Sequence, residues 1–279
     1  MPAVPGKRHH DENFPVASRL VRPALRPPIL AFYRFARAAD DVADQPGAAP
    51  AAKLARLARM EAGLLGQEDG PPEAATLRAA LAERGLSAEH ALDLLEAFRR
   101  DATVDRYADW PALMEYCRFS AAPVGRFMLE LHGEAPALWP ASDALCAALQ
   151  VINHLQDCGA DRRRLDRVYL PLGILAAHGA PVEALDAPRA SPALRAALAD
   201  LAERTGHLLE QSRPLAARIA DRRLALEVGV IQALAESLLR RLLRRDPLSE
   251  RVRHHAAEAA LVALRGGLRT ASVRLGLRR

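Results

Sequence analysis

Apolar residues recur at helical spacing through long stretches of the chain, and proline and glycine clusters divide those stretches. Arg26-Pro27-Pro28 opens a helix, because proline is tolerated in a first turn, and Gln45-Pro46-Gly47 closes it after Asp44. The same pattern predicts helices over 50–66, 73–84, 87–105, 110–132, 141–162, 191–213, 215–245 and 248–275. Long helices joined by short loops imply a bundle.

Composition strengthens this reading. Alanine, leucine and arginine dominate, β-branched residues are sparse, and lysine occurs only at Lys7 and Lys53. Such a chain favours helix almost everywhere, so the expected fold class is all-α. Half of the 279 residues are hydrophobic, enough for one large core or two intimate halves. The expectation is one helical domain over 11–279, preceded by a flexible segment, 1–10. No repeat is found, and no Gly-rich loop follows a strand, which argues against nucleotide binding through a Rossmann or P-loop motif.

Charge and cysteine content narrow the setting. The net charge is +5, but residues 240–279 hold eleven arginines against Asp246, Glu250 and Glu258, so the basic character belongs to the carboxyl end. No nucleic-acid partner is expected, and a monomer is. Met1 to Asn13 contains no apolar run of the signal-peptide kind. The longest uncharged stretch, Val168 to Val182, has 15 residues, short of the ~20 a spanning helix needs. Cys117, Cys146 and Cys158 are too few and too scattered for a disulfide framework or a zinc site. They read as reduced core thiols of a cytoplasmic protein.

Two groups of carboxylates carry the candidate chemistry. Asp40, Asp41 and Asp44 crowd the end of the first helix, where the macrodipole disfavours each by ~0.3–1 kcal/mol, so something should compensate. Asp40 and Asp44 share a face, with Arg37 on the same side. Asn153, Asp157 and Asp161 form a second stripe, an amide followed by two carboxylates at four-residue spacing. Oxygen ligands of this kind suit magnesium, which keeps several waters and is completed by substrate phosphate, and Arg37 and Arg167 could contact phosphate oxygens. Spacing alone leaves the choice open. Four DxxxD pairs occur where chance gives roughly one, and a solvated helix face is the alternative. For Asp101, Asp105 and Asp109 that solvated face is the expectation.

At these residues a family resemblance enters. Phe32-Tyr33-Arg34-Phe35-Ala36-Arg37-Ala38-Ala39-Asp40-Asp41-Val42-Ala43-Asp44 resembles the first aspartate motif of the squalene/phytoene synthase family. Asn153-His154-Leu155-Gln156-Asp157-Cys158-Gly159-Ala160-Asp161, trailed by Arg167-Val168-Tyr169-Leu170-Pro171, resembles its second motif. Tyr116-Cys117 to Val124-Gly125 resembles the intervening substrate helix. The resemblance covers roughly residues 11–245.

It implies an isoprenoid synthase bundle with a central cavity, a magnesium cofactor and an isoprenoid diphosphate as substrate, either presqualene or farnesyl diphosphate. Asp40, Asp44, Asn153, Asp157 and Asp161 would then be metal ligands or their supports, the four aspartates serving catalysis. Arg37 and Arg167 would bind diphosphate, and Phe14, Tyr33, Tyr116, Phe119, Pro123, Val124 and Tyr169 would line the substrate site.

Glu12 to Ser18 and Ser120-Ala121-Ala122-Pro123-Val124-Gly125-Arg126 resemble the branch of the family that forms hydroxysqualene for hopanoids. Pro123 should bend or break its helix at the cavity wall. The implied reaction ionises presqualene diphosphate and captures the rearranged cation with water. The alternatives are head-to-head prenyl transfer giving presqualene diphosphate, squalene or phytoene, and a non-catalytic assembly factor of the same fold.

Aromatic residues are confined to Phe14–Tyr169, and each can be read as cavity wall or as core; Phe35 and Phe98 read as core, and His154 as a packed helix residue. Residues 256–279 form a possible basic amphipathic tail: Leu261, Leu264, Leu268, Ala271 and Leu275 recur at helical spacing among Arg265, Arg269, Arg274 and Arg278. That pattern suggests peripheral contact with the inner face of a membrane, or an apolar edge packed on the bundle.

Overall fold

A computed structural model describes residues 20–276. Phe14, the Glu12–Ser18 segment, the 1–10 segment and Arg278 lie outside the described residues. Among the described residues every named element is a helix, and only an isolated bridge between Arg106 and Val168 has strand-like pairing. Two compact units divide at Ala102 and Thr103.

The first unit contains α1 (Arg26–Ala43), α2 (Pro50–Leu65), α3 (Pro72–Arg84) and α4 (Glu89–Asp101). Proline in the first turn starts α1, α2 and α3, and Gly66 and Gly85 end α2 and α3 in the left-handed conformation that glycine adopts without strain. α1 packs against α2, α3 and α4 through Phe32, Phe35, Ala39 and Val42. Phe35 is core, as its sequence position suggests; Phe98 is only half-buried.

The second unit contains α5 (Trp110–Ser120), α6 (Ala122–Leu131), α7 (Trp139–Leu165), α8 (Leu172–Ala177), α9 (Pro192–Ser212), α10 (Leu215–Arg218), α11 (Arg222–Leu242) and α12 (Ala256–Arg274). Here α7 is the central helix, packed on α5, α6, α9 and α11. Asp109, Ser191 and Asp221 cap α5, α9 and α11 by accepting from backbone N–H groups of the first turn.

Several predicted helices are divided. The stretch 110–132 breaks at Ala121 (φ −126°, ψ −49°), and Pro123 occupies the first turn of α6, where its missing N–H costs nothing. The stretch 215–245 yields the single turn α10 before Asp221 caps α11, and 248–275 becomes helical only from Ala256. α4 stops at Asp101, so 101, 105 and 109 do not share a helix. Asp101 is 6% exposed, contrary to its expected solvated placement, while Asp105 and Asp109 are exposed.

Candidate active site

Tyr33, Arg37, Asp40 and Asp44 follow one another at four-, three- and four-residue steps along a single face of α1. The compensation expected for crowded carboxylates is present. Arg37 donates from one guanidinium nitrogen to Asp40 (2.8 Å) and from the other to Asp41 (2.7 Å), and Lys53 Nζ donates to the Ala43 carbonyl at the helix end (2.7 Å). It is incomplete. Burial and then the charge of Asp44 raise the Asp40 pKa from 3.8 to about 7 against the pull of Arg37, with Asp101 and Asp41 pushing the same way. Sequence spacing gave no sign of Asp101 as a neighbour, because α4 brings it there by packing on α1.

In the second unit, Asn153, Asp157 and Asp161 are half-buried along one stripe of α7, whose opposite positions Ile152, Leu155, Cys158 and Gly159 are core. Asp166, in the left-handed conformation (φ 51°), ends α7 and accepts from Arg106 (2.6 Å) and Arg162. The chain then runs beside 105–108: Val168 N donates to Asp105 O (2.8 Å), Leu172 N to Tyr107 O (2.9 Å) and Gly173 N to Ala108 O (2.8 Å).

This pairing builds an aromatic cluster. Tyr169 stacks on Tyr107 (centroids 5.7 Å) and on His154 (3.7 Å), and Tyr116 from α5 tilts against Tyr107 (5.1 Å) and Tyr169 (5.4 Å). Arg167 is buried and donates to the Tyr169 hydroxyl (3.0 Å). Burial, with the Arg167 charge second, lowers the His154 pKa from 6.5 to about 3, so the imidazole is neutral at physiological pH. Its Nε2 is buried without a hydrogen-bond partner.

The 119–126 segment divides by exposure. Pro123 is buried, Phe119 is half-buried with the Arg118 guanidinium 4.0 Å over its ring, and Val124 is 42% exposed. Arg126 makes a two-pronged pair with Asp143 (3.0 and 2.6 Å) and lies 4.7 Å over the Trp139 ring, tying α6 to α7. Gly125 faces α7 so closely that a Cβ there would meet Cys146 Sγ at 2.6 Å.

The squalene/phytoene synthase family matches residues 7–258. The chain belongs to that family. It is 58% identical to a hydroxysqualene synthase of Rhodopseudomonas palustris over 247 residues, covering 88% of this chain and 85% of the relative. It is 53% identical to a hydroxysqualene synthase of Zymomonas mobilis over 270 residues, covering 95% and 91%. A solved squalene synthase from Alicyclobacillus acidocaldarius superposes with a TM-score of 0.71 at 33% identity, covering 81% of this chain and 85% of that one.

Squalene/phytoene synthases act on isoprenoid diphosphates, and the oxygens on α1, and separately those on α7, are hard donors of the kind magnesium takes. Among the described residues no group of three or more His, Cys, Asp or Glu gathers closely enough to hold an ion by itself. Tyr107 also emerges in the aromatic cluster. Its place among exposed Asp105, Ala108 and Asp109 hid it from pattern reading, although aromatic character just before a capping aspartate is the signal available.

Proposed function

We propose that this chain ionises presqualene diphosphate with the help of magnesium and lets water capture the rearranged cation, giving hydroxysqualene on the route to squalene and hopanoids. The observation that carries this reading is the identity to two hydroxysqualene synthases over most of the chain. The helix break at Ala121 ahead of Pro123, within the segment resembling that branch, supports it.

Asp40, Asp44, Asn153, Asp157 and Asp161 would hold the metal. The carboxylate crowding that raises Asp40 is the kind of electrostatic cost a cation relieves. When bound, magnesium supplies Lewis-acid assistance to the departing diphosphate. Arg37 already spans two carboxylates, so in this reading it exchanges one of them for a phosphate oxygen when substrate arrives. Tyr33, Tyr116, Phe119, Pro123, Val124 and Tyr169 belong to the hydrocarbon side of the proposal, and Arg167, proposed with Arg37 for the diphosphate, is buried with its guanidinium on the Tyr169 hydroxyl. The carbon–oxygen bond to diphosphate breaks with its electron pair leaving on the diphosphate. A water oxygen then bonds to the cation, and its proton passes to the released diphosphate. A monomeric cytoplasmic enzyme working at the inner face of a membrane is the setting that goes with such apolar reactants.

The test is to incubate purified protein and magnesium with presqualene diphosphate, and separately with farnesyl diphosphate, in oxygen-18 water with and without NADPH. Labelled hydroxysqualene from presqualene diphosphate in both reactions is expected. Squalene formed only with NADPH, or presqualene diphosphate accumulating from farnesyl diphosphate, would move the protein to the head-to-head reaction.

A further inference from the structure

Half of the ten exposed large hydrophobic residues among the described residues lie on α12 or at its end: Leu261, Leu264, Leu268, Val273 and Leu275. The helix itself is not loose. Gly266 and Thr270 are buried against α11, where a Cβ on Gly266 would meet the Ala233 Cβ at 2.7 Å and one on Gly229 would meet the Thr270 Cβ at 2.9 Å. Gly266, which weakens this segment as an isolated helix, is in the fold what lets it seat.

That seating decides which face is left outside. Leu264 and Leu268 stand two residues either side of Gly266, roughly 200° around the helix from it, and Leu261 and Leu275 fall on the same stripe. Their exposures are 59%, 59%, 48% and 73%. The stripe runs about 21 Å, at ~1.5 Å per residue.

On α12 three arginines stand against one acid. Glu258 is paired with Arg241 (2.9 Å), and beyond it the helix contains no acid. Arg274 turns inward to the carbonyls of Ala216, Ile219 and Ala220, and Arg269 reaches Glu236 at 3.7 Å, so neither is the membrane-facing charge that spacing suggested. Arg265 is exposed beside Leu264 and Leu268.

We propose that this leucine stripe with Arg265 seats the protein on an anionic lipid bilayer, α12 lying in the plane of the interface. An apolar ridge flanked by arginine fits the boundary between acyl chains and acidic headgroups. A second copy fits less well, because a two-fold interface sets the same patch against itself and would bring Arg265 towards Arg265. The claim goes beyond the proposed reaction, and it is read by binding and not by turnover.

The full-length protein is co-sedimented with vesicles of phosphatidylcholine alone and of phosphatidylcholine with phosphatidylglycerol, at low and high salt. Binding to the anionic vesicles is expected, weakened by salt, and reduced on the order of tenfold by Arg265→Glu. The triple variant Leu261→Gln, Leu264→Gln, Leu268→Gln should lose most binding at either salt while keeping its melting temperature and its turnover of detergent-dispersed substrate. Equal vesicle binding by wild type and triple variant overturns the proposal. So does a wild type that ignores anionic vesicles, or a concentration-dependent dimer that the triple variant abolishes without vesicle binding. Absent turnover with intact vesicle binding would count against the reaction alone.

Discussion

Asp40 and Asp44 stand one turn apart on the same face of α1, and burial together with that neighbour holds the Asp40 carboxyl near a pKa of 7. The ordinary value for an aspartate, which the unfolded chain approaches, is 3.8. As pH rises from about 4 to about 7 the unfolded state ionises first, so stability present at low pH is progressively lost and stays lost above 7. Asp40→Asn should therefore melt higher than wild type at pH 8 without magnesium, and the difference should vanish near pH 4. Thermal unfolding across that range checks it; an equal advantage at both pH values would remove the electrostatic explanation.

Asp44→Asn and Asp157→Asn should each lower turnover by on the order of a hundredfold or more if these carboxylates serve the diphosphate, since charge stabilisation of this kind carries much of a barrier. Helical content and melting temperature should hold or rise slightly, because one carboxylate of a crowded set has gone. Near-normal activity in both variants would withdraw the proposed metal ligands. Loss of fold without loss of magnesium response would make the residues structural.

Gly229→Ala places a methyl group against Thr270. Helix propensity favours alanine by about 1 kcal/mol, yet forcing α12 off α11 costs typically 1–3 kcal/mol, so a net loss of stability is expected. Adding Thr270→Ala removes the hydroxyl and methyl that the new Cβ would meet but keeps the Thr270 Cβ contact at 2.9 Å, so it should restore part of the loss. Chemical denaturation of the single and double variants is the measurement, and no recovery in the double variant would show that the contact is not what resists the methyl.

Burial pushes the Cys117, Cys146 and Cys158 thiols up to about 12. Native protein at pH 8 should then resist a maleimide pulse, and all three thiols should label once the chain is unfolded. Mass spectrometry counts the adducts. Fast labelling of any one in the folded enzyme would place that thiol outside the core.

Much of the architecture is local and so was legible in the residues themselves. Prolines in first turns and glycines after last turns mark where α1, α2 and α3 begin and end, and four-residue spacing places Asp40 with Asp44 and Asn153 with Asp157 and Asp161 on shared faces whatever the tertiary fold. The order of the motifs was enough for the family. Packing settled the rest, because burial depends on residues distant in sequence. It sent Asp101 into the core beside Asp40, although its spacing to Asp105 suggested a wet face. It drew Tyr107 against Tyr169 through backbone bonds between 105–108 and 168–173. It turned Gly266 and Thr270 inward and Arg274 onto backbone carbonyls, leaving the leucines of α12 outside. A helical repeat states which residues share a face, and only the neighbour that arrives decides which face is dry.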